Sequence, residues 1–198
     1  AMRCTTSARG ARVVTVPPHG RAAVHRRTAE EEQKIVVQLE GFDWVEVPID
    51  VVDQFPIRMH SAAASASEVI FAIAEVDVRG SATDITIRVA TEEPQFMIVN
   101  HLPIQVIARQ TGSAFSFRIP PMHSTPFAWD EPAKQPRTVE ILRGRDPLDI
   151  TRIGRQTSSV VPDVGKVFVE VLAHGPSRVA HVRVESHEVS IVKEITDL

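Results

Sequence analysis

Prolines set the tightest limit on what this sequence can become. Fourteen of them are spread along 198 residues. Each fixes φ near −65°, removes a backbone donor and clashes with the helical turn before it. Few windows remain in which an amphipathic helix could bury a stripe. Two stretches have helix-forming composition, RTAEEEQK at 27–34 and SAAASASE at 61–68, but neither carries an apolar stripe. They are expected to be exposed loop or a single turn. Between the prolines, apolar and polar residues alternate in ITIRVAT (85–91), KVFVEVLA (166–173) and RVAHVRVES (178–186), with valine, isoleucine and phenylalanine dominant. That is the period of a half-buried strand. The shorter apolar runs IVVQL (35–39), FMIV (96–99) and IQVIA (104–108), bounded by Pro, Gly, Asn or Asp, predict strands buried on both faces. The expected fold class is all-β, built from antiparallel β-sandwich modules rather than a closed barrel.

Bulk chemistry excludes some partners. An apolar content of 43% is enough for a core in a chain of this length. A net charge of −3 and a pI near 6.3 provide no diffuse positive field to draw in a nucleic-acid backbone or an anionic membrane. The longest apolar stretch, VIFAIA at 69–74, is far short of the roughly 20 residues that span a bilayer. The opening AMRCTTSARGARVV holds no continuous apolar core of the signal-peptide kind. A single cysteine, Cys4, forms no internal disulfide and suits a reducing, cytoplasmic compartment.

Three pairs of segments recur in the same order. VPPHG (16–20) aligns with IPPMH (119–123), PIDVV (48–52) with PLDIT (147–151), and EVDVRGSATDITIRV (75–89) with EVLAHGPSRVAHVRV (170–184). The offsets are 103, 99 and 95, a drift expected from deletions in loops. The last pair matches Glu75 with Glu170, Gly80 with Gly175, Arg88 with Arg183 and Val89 with Val184. Two tandem modules are expected. Residues 1–91 would be the C-terminal part of a preceding β-sandwich repeat, incomplete at its N-terminus, and residues 92–198 a complete repeat. The chain reads as a piece of a longer array whose modules bury surface against their neighbours.

Most chemically suggestive residues have a plain structural explanation. In PFAWDEP (126–132), Asp130 and Glu131 are adjacent, so on an extended backbone they point to opposite sides and cannot pair as acid and base. The eight histidines include no HxH or HExxH spacing. His181 and His187 share a strand face but lie about 20 Å apart at strand rise, too far to share a metal. No GxSxG, Gly-rich phosphate loop or His-paired cysteine occurs, and Cys4 is expected at a frayed terminus. RGRD (143–146) is expected to be a solvated turn. Arg21, Arg26 and Arg27 face Glu30, Glu31 and Glu32 as a self-balancing loop. No metal, cofactor or catalytic group is expected.

VNHLPI (99–104) is more informative. Asn100 ends an apolar strand shortly before Pro103, where its short amide can accept a left-handed corner and bond nearby main chain. Alternatively, an exposed amide there would anchor a peptide lying beside the strand. In PPMHSTPFAWDEP, prolines 120, 121, 126 and 132 are expected to stop pairing and turn the chain between sheets. Trp129 would plug the core, and Asp130 and Glu131 would cap or face solvent.

IVNHLPIQVIARQTG, FRIPPMHSTPFAWDEP, VEILRGRDPLDITRIG and VFVEVLAHGPSRVAHVRVES follow one another in an order that resembles the adaptor-binding repeat region of the chorein family, the bridge-like lipid-transfer proteins called vacuolar protein sorting protein thirteen. The resemblance covers about residues 94–186, and PFAWDEP is its most specific part. DWVEVPIDV and the strand pair at 70–90 resemble the family more loosely. The resemblance implies an array of β-sandwich repeats, of which this chain would be the fifth and sixth. It implies recruitment by organelle adaptors that display a Pro-x-Pro motif, with the asparagine at position 100 tied to that binding.

On this resemblance the chain is expected to be a non-enzymatic interaction module. It would hold adaptor peptides at Ile98, Asn100, His101, Leu102 and Pro103, while Pro120, Pro121, Trp129, Asp130 and Gly175 serve the architecture. It would act in the cytoplasm, peripheral to mitochondria, endosomes or vacuole at membrane contact sites, with no nucleic-acid partner and no transmembrane segment. The physical basis is strand addition at an exposed sheet edge. A change at Asn100 is expected to weaken binding without unfolding the protein. The competing expectation is a structural spacer that binds nothing. An enzyme or carbohydrate-binding module is disfavoured by the lack of tyrosine and by only two tryptophans.

Overall fold

The computed structural model describes residues 2–6, 13–23, 34–63, 68–80, 82–90, 94–141 and 147–185. Most of RTAEEEQK, the middle of SAAASASE, Arg26 and Arg27 with their facing glutamates, RGRD and His187 lie outside the described residues. In chain order the strands are β1 (Met2–Thr6), β2 (Val14–Val16), β3 (Lys34–Leu39), β4 (Val45–Pro48), β5 (Asp53–His60), β6 (Val69–Arg79), β7 (Ala82–Val89), β8 (Phe96–Asn100), β9 (Val106–Gln110), β10 (Phe117–Ile119), β11 (Ser124–Phe127), β12 (Val139–Ile141), β13 (Gly154–Val161), β14 (Gly165–His174) and β15 (Ser177–Val184). No helix occurs among the described residues, so the fold is all-β.

The strands form four sheets, which pack in pairs around two cores. The sheet β2-β1-β3-β4 and the sheet β5-β6-β7 share a core that includes Val37, Val47, Phe55, Ile57 and Met59. The sheet β10-β9-β12 and the sheet β11-β8-β15-β14-β13 share a second core, with Ile98, Val106, Ile119, Phe127, Leu148 and Val182. Neighbouring strands are antiparallel except β8 and β15, which run parallel from Arg178 opposite Phe96 to Val182 opposite Asn100. Those two are joined only through the other strands, so no hairpin forces them to oppose one another.

The short apolar runs expected to be buried on both faces instead alternate. In β8, Phe96, Ile98 and Asn100 are buried while Met97 and Val99 are half-buried, and β3 and β9 follow the same rhythm. Each of these strands has one face on a core and one more open, as two-layer packing requires, whereas β5 is buried on both faces from Phe55 to Met59. Cys4, expected at a frayed end, is buried on β1, and that burial pushes its thiol pKa up.

Proline placement follows from the missing N–H. Pro48, Pro56 and Pro126 lie in β4, β5 and β11, and all three are edge strands, where an absent donor leaves no ladder bond broken. Pro126 was expected to stop pairing. It instead sits opposite Met97 within the β11–β8 pair.

Segments matched in sequence share local geometry. The Gly20 N–H donates to the Pro17 carbonyl at 2.9 Å with His19 at φ 56°, and the His123 N–H donates to the Pro120 carbonyl at 3.3 Å with Met122 at φ 58°. Proline followed by a residue of positive φ is a type II turn. The β6–β7 and β14–β15 hairpins likewise both turn over two residues, beginning with Gly80 (φ 63°) and Gly175 (φ 57°). Pro176 fixes its own φ as negative, so Gly175 carries the positive φ of a type II′ turn. An added Cβ at Gly175 meets nothing within 4 Å. Gly175→Ala is therefore expected to cost about 1–2 kcal/mol through backbone conformation alone, read as a lowered urea midpoint. An unchanged midpoint would show that the turn tolerates an ordinary residue.

Candidate functional site

The PFAWDEP segment lies where the two cores meet. Trp129 is buried, with its ring against Phe127 (4.9 Å between centroids, edge-on) and Phe96 (5.9 Å). Its backbone leaves its own sandwich and pairs with β5. The Trp129 N–H donates to the Pro56 carbonyl and the Arg58 N–H donates to the Trp129 carbonyl, both at 2.9 Å. Because Trp129 adds to the edge of β5, the next side chain, Asp130, points into the junction.

Asp130 neither caps nor faces solvent, as the sequence had led us to expect. It is buried and holds Arg58 in a two-pronged ion pair, Nε to Oδ1 and Nη2 to Oδ2, both 2.8 Å. Ser113 Oγ donates to Oδ2 at 2.9 Å, and His60 Nε2 lies 2.8 Å from Oδ1. The guanidinium also stacks over Phe117 at 4.7 Å, and the His60 ring lies 3.7 Å from that of Phe115. From the other side, Gln110 clamps the backbone of Glu131: its Nε2 donates to the carbonyl at 2.8 Å and its Oε1 accepts from the N–H at 2.9 Å. Serine, histidine and aspartate meet here, but the serine proton goes to the carboxylate and not to the imidazole. The activated-nucleophile arrangement needs the reverse connection. Sequence spacing gave no hint of Arg58, 72 positions from Asp130.

The expected peptide-binding residues divide. Ile98 and Leu102 are fully buried core, so neither offers a surface to a ligand, while His101 and Pro103 are exposed. Asn100 is wholly buried. Its Nδ2 lies 2.8, 3.2 and 2.9 Å from the carbonyls of Ile104, Ile119 and Pro120, and its Oδ1 accepts from the Leu102 N–H at 2.9 Å. The amide bonds nearby main chain, as a corner asparagine is expected to, and not as an exposed anchor, although Asn100 has no left-handed φ. A change there strands several buried backbone groups, at about 1–3 kcal/mol each, so the expectation of weakened binding with undisturbed folding does not survive.

Beside this corner lies a histidine pair that the sequence did not reveal. His101 Nε2 and His181 Nδ1 are 2.8 Å apart, with stacked rings 5.1 Å between centroids. Burial is the first cause holding both imidazoles below the ordinary histidine pKa, and the Arg183 guanidinium is the second. For His181, His101 and His174 push the same way and Glu170 opposes them. Among the described residues, no three His, Cys, Asp or Glu side chains gather to hold a metal.

A cleft of about 360 Å³ opens beside the junction, between the start of β5 and the second sandwich. Pro56, Phe96, Trp129 and Pro176 give it apolar walls, and Gln54, Arg137 and Arg178 give it polar ones. It meets β8 at Phe96, about 13 Å along the strand from Asn100 at the far end. The described residues include no helix long and apolar enough to cross a membrane. No protein-family model matches this chain, and no curated protein does either.

Two expectations follow. Asp130→Ala leaves Arg58 buried without a counter-charge and should cost about 3–5 kcal/mol. The double variant Arg58→Met/Asp130→Leu should recover most of that loss, as measured by urea unfolding. A double variant no more stable than Asp130→Ala would show that the pair's worth lies elsewhere. The histidine pair has folded pKa values below the unfolded value of about 6.5. The unfolded chain therefore takes up protons first as pH falls. The pair's contribution is complete above about pH 6.5 and is lost as pH drops through the folded values. The thermal midpoint should fall between pH 7 and pH 5, and fall less in His101→Gln/His181→Gln. Parallel pH curves for the two proteins would rule the pair out as the cause.

Proposed function

We propose that this chain is a non-enzymatic interaction module that captures short Pro-x-Pro segments of adaptor proteins in the cleft beside the Arg58–Asp130 junction. The cleft is the observation that carries the reading. Along its floor the edge of β5 presents few donors. Pro56 has no N–H, and the Gln54 N–H is already held by the Asp53 carboxylate at 2.8 Å. The bonds from Arg58 and Trp129 show that Pro56 and Arg58 direct their backbone groups away from β6, so Gln54, of the same parity, directs its carbonyl into the cleft. An ordinary strand needs both donors and acceptors. A Pro-x-Pro segment needs less: the N–H of x meets the carbonyl, and the two prolines, on one face about 7 Å apart, lie against the rings of Phe96, Trp129 and Pro176. Arg137 and Arg178 favour acidic residues in the flanks.

The resemblance of FRIPPMHSTPFAWDEP and its neighbours to the adaptor-binding repeats of bridge-like lipid-transfer proteins supports the same reading. On it the two sandwiches are repeats of that array. The captured adaptor recruits the parent protein, in the cytoplasm, to organelle membranes and membrane contact sites. Asn100 contributes by shaping its corner and not by touching the peptide.

The test is a titration of fluorescent Pro-x-Pro peptides. Wild type should bind in the micromolar range, about −8 kcal/mol. Gln54→Trp, which fills the cleft from an exposed position, should weaken binding at least tenfold with an unchanged unfolding midpoint. Equal binding of an Ala-x-Ala control peptide, or no binding at all, would sink the proposal. The second outcome favours a rigid spacer, a role that the buried junction would also serve.

A further inference from the structure

The two sandwiches differ at one edge. In the second, β15 is followed in its sheet by β8 and then β11. In the first, the matching strand β7 pairs with β6, and among the described residues nothing pairs with its other side. The backbone groups on that side can be identified. The Ala90 N–H donates to the Phe71 carbonyl, and the register runs Val89 opposite Ala72. Arg88, Thr86 and Asp84 therefore also direct their backbone groups toward β6, because pairing alternates along an antiparallel ladder. Thr83, Ile85, Ile87 and Val89 direct theirs outward.

The same accounting on β15 gives the matching answer. Arg178 donates to the Gln95 carbonyl and Val182 accepts from the His101 N–H, so Arg178, Ala180 and Val182 are the positions that bond β8. Shifted by the offset of 95, they become Thr83, Ile85 and Ile87. The groups that β8 satisfies in one sandwich are thus the ones left open in the other. The side chains agree. Ala180 and Val182 are fully buried beneath β8, whereas Ile85 and Ile87 lie against their core only partly covered.

We infer that the outer edge of β7 is an acceptor for one more strand, supplied by a separate segment that runs parallel to β7 with β8's chemistry: large apolar residues at alternate positions, closing on an asparagine. β8 shows the pattern in Phe96, Ile98 and Asn100, all buried. On the β8–β15 register the first would lie beside Thr83, the second beside Ile85 and the asparagine beside Ile87, adding cover to the half-covered core. The asparagine would close a corner as Asn100 does. This seat is separate from the junction cleft and calls for the opposite ligand. A full ladder needs N–H donors at alternate positions, so a segment with prolines there is rejected.

The probe is a labelled peptide of sequence QFMIVNHLP, titrated into the full chain and followed by amide hydrogen exchange. In the free protein the amides of Thr83, Ile85 and Ile87 should exchange quickly, and those of Asp84, Thr86 and Arg88 slowly. Peptide should protect the first set and leave the second unchanged. Thr83→Pro removes one of the three donors of this seat while sparing the bonds to β6, and should weaken binding about tenfold with β6–β7 protection retained. A peptide with proline at every second position should not bind. The inference fails if the outward amides are already protected in the free monomer. It fails equally if peptide binds without protecting them, or if sedimentation shows two copies of the chain pairing through β7.

Discussion

The arrangement of this molecule depends on one buried ion pair. Two cores that share no strand have only their contact to fix how they sit, and at the centre of that contact Arg58 from one meets Asp130 from the other. Both side chains are almost entirely out of water. Desolvating two charges costs several kcal/mol each, and their attraction repays this only when geometry is good and the remaining donors and acceptors are filled. Here both carboxylate oxygens take a guanidinium bond, with Ser113 and His60 adding one each. Such a pair supplies little net stability compared with an apolar contact of the same size. It does make any other mutual placement expensive, since rotating one sandwich would leave a bare charge in the interior. Orientation, more than affinity, is what it provides.

That orientation creates the cleft. Trp129 belongs to the second core through its ring and to β5 through its backbone, so Pro56 and Phe96 face each other across the same space. Arg137, stacked 4.9 Å over Phe55, spans the junction a second time. A groove between two rigid bodies keeps its shape only if the bodies do not rotate. The ion pair and the cleft are therefore one device, and loosening the first would be felt at the second.

Much of the fold was legible in the sequence because its signals are local. Alternation marked β7, β14 and β15 closely, and the recurring PPHG and PPMH turns carry their conformation in consecutive residues. Burial sidedness was not legible in the short apolar runs. Four or five apolar residues in a row look the same whether one face or two is covered, and only the packed layers decide. The site was harder still. The partners of Asp130 are Arg58 and His60, 72 and 70 positions earlier, with Ser113 17 before it, and nothing in a carboxylate's neighbours announces a distant guanidinium. Asn100 was found for a sound reason, a short amide at a corner. Whether that amide looks out or in depends on the carbonyls of Ile119 and Pro120, brought back by a different strand. The His101–His181 pair required knowing that β8 and β15 are neighbours and parallel, a pairing that no hairpin signal reports.

The edges of this protein differ in kind, and the difference governs what can dock. β4, β5 and β11 carry prolines, and β5 is further closed by Trp129, so an arriving strand finds missing donors or an occupied ladder. This is how sheets ordinarily avoid pairing with whatever they meet. β7 has no proline and half-covered isoleucines, and its outward backbone groups occupy the same positions that β15 uses to hold β8. An unguarded edge of that kind is a liability in an isolated domain. It is a requirement in one whose sheet is finished by a strand from elsewhere. Proline, which constrains the helix content of the whole chain, thus also marks three of its sheet edges, β4, β5 and β11, while β7 carries none.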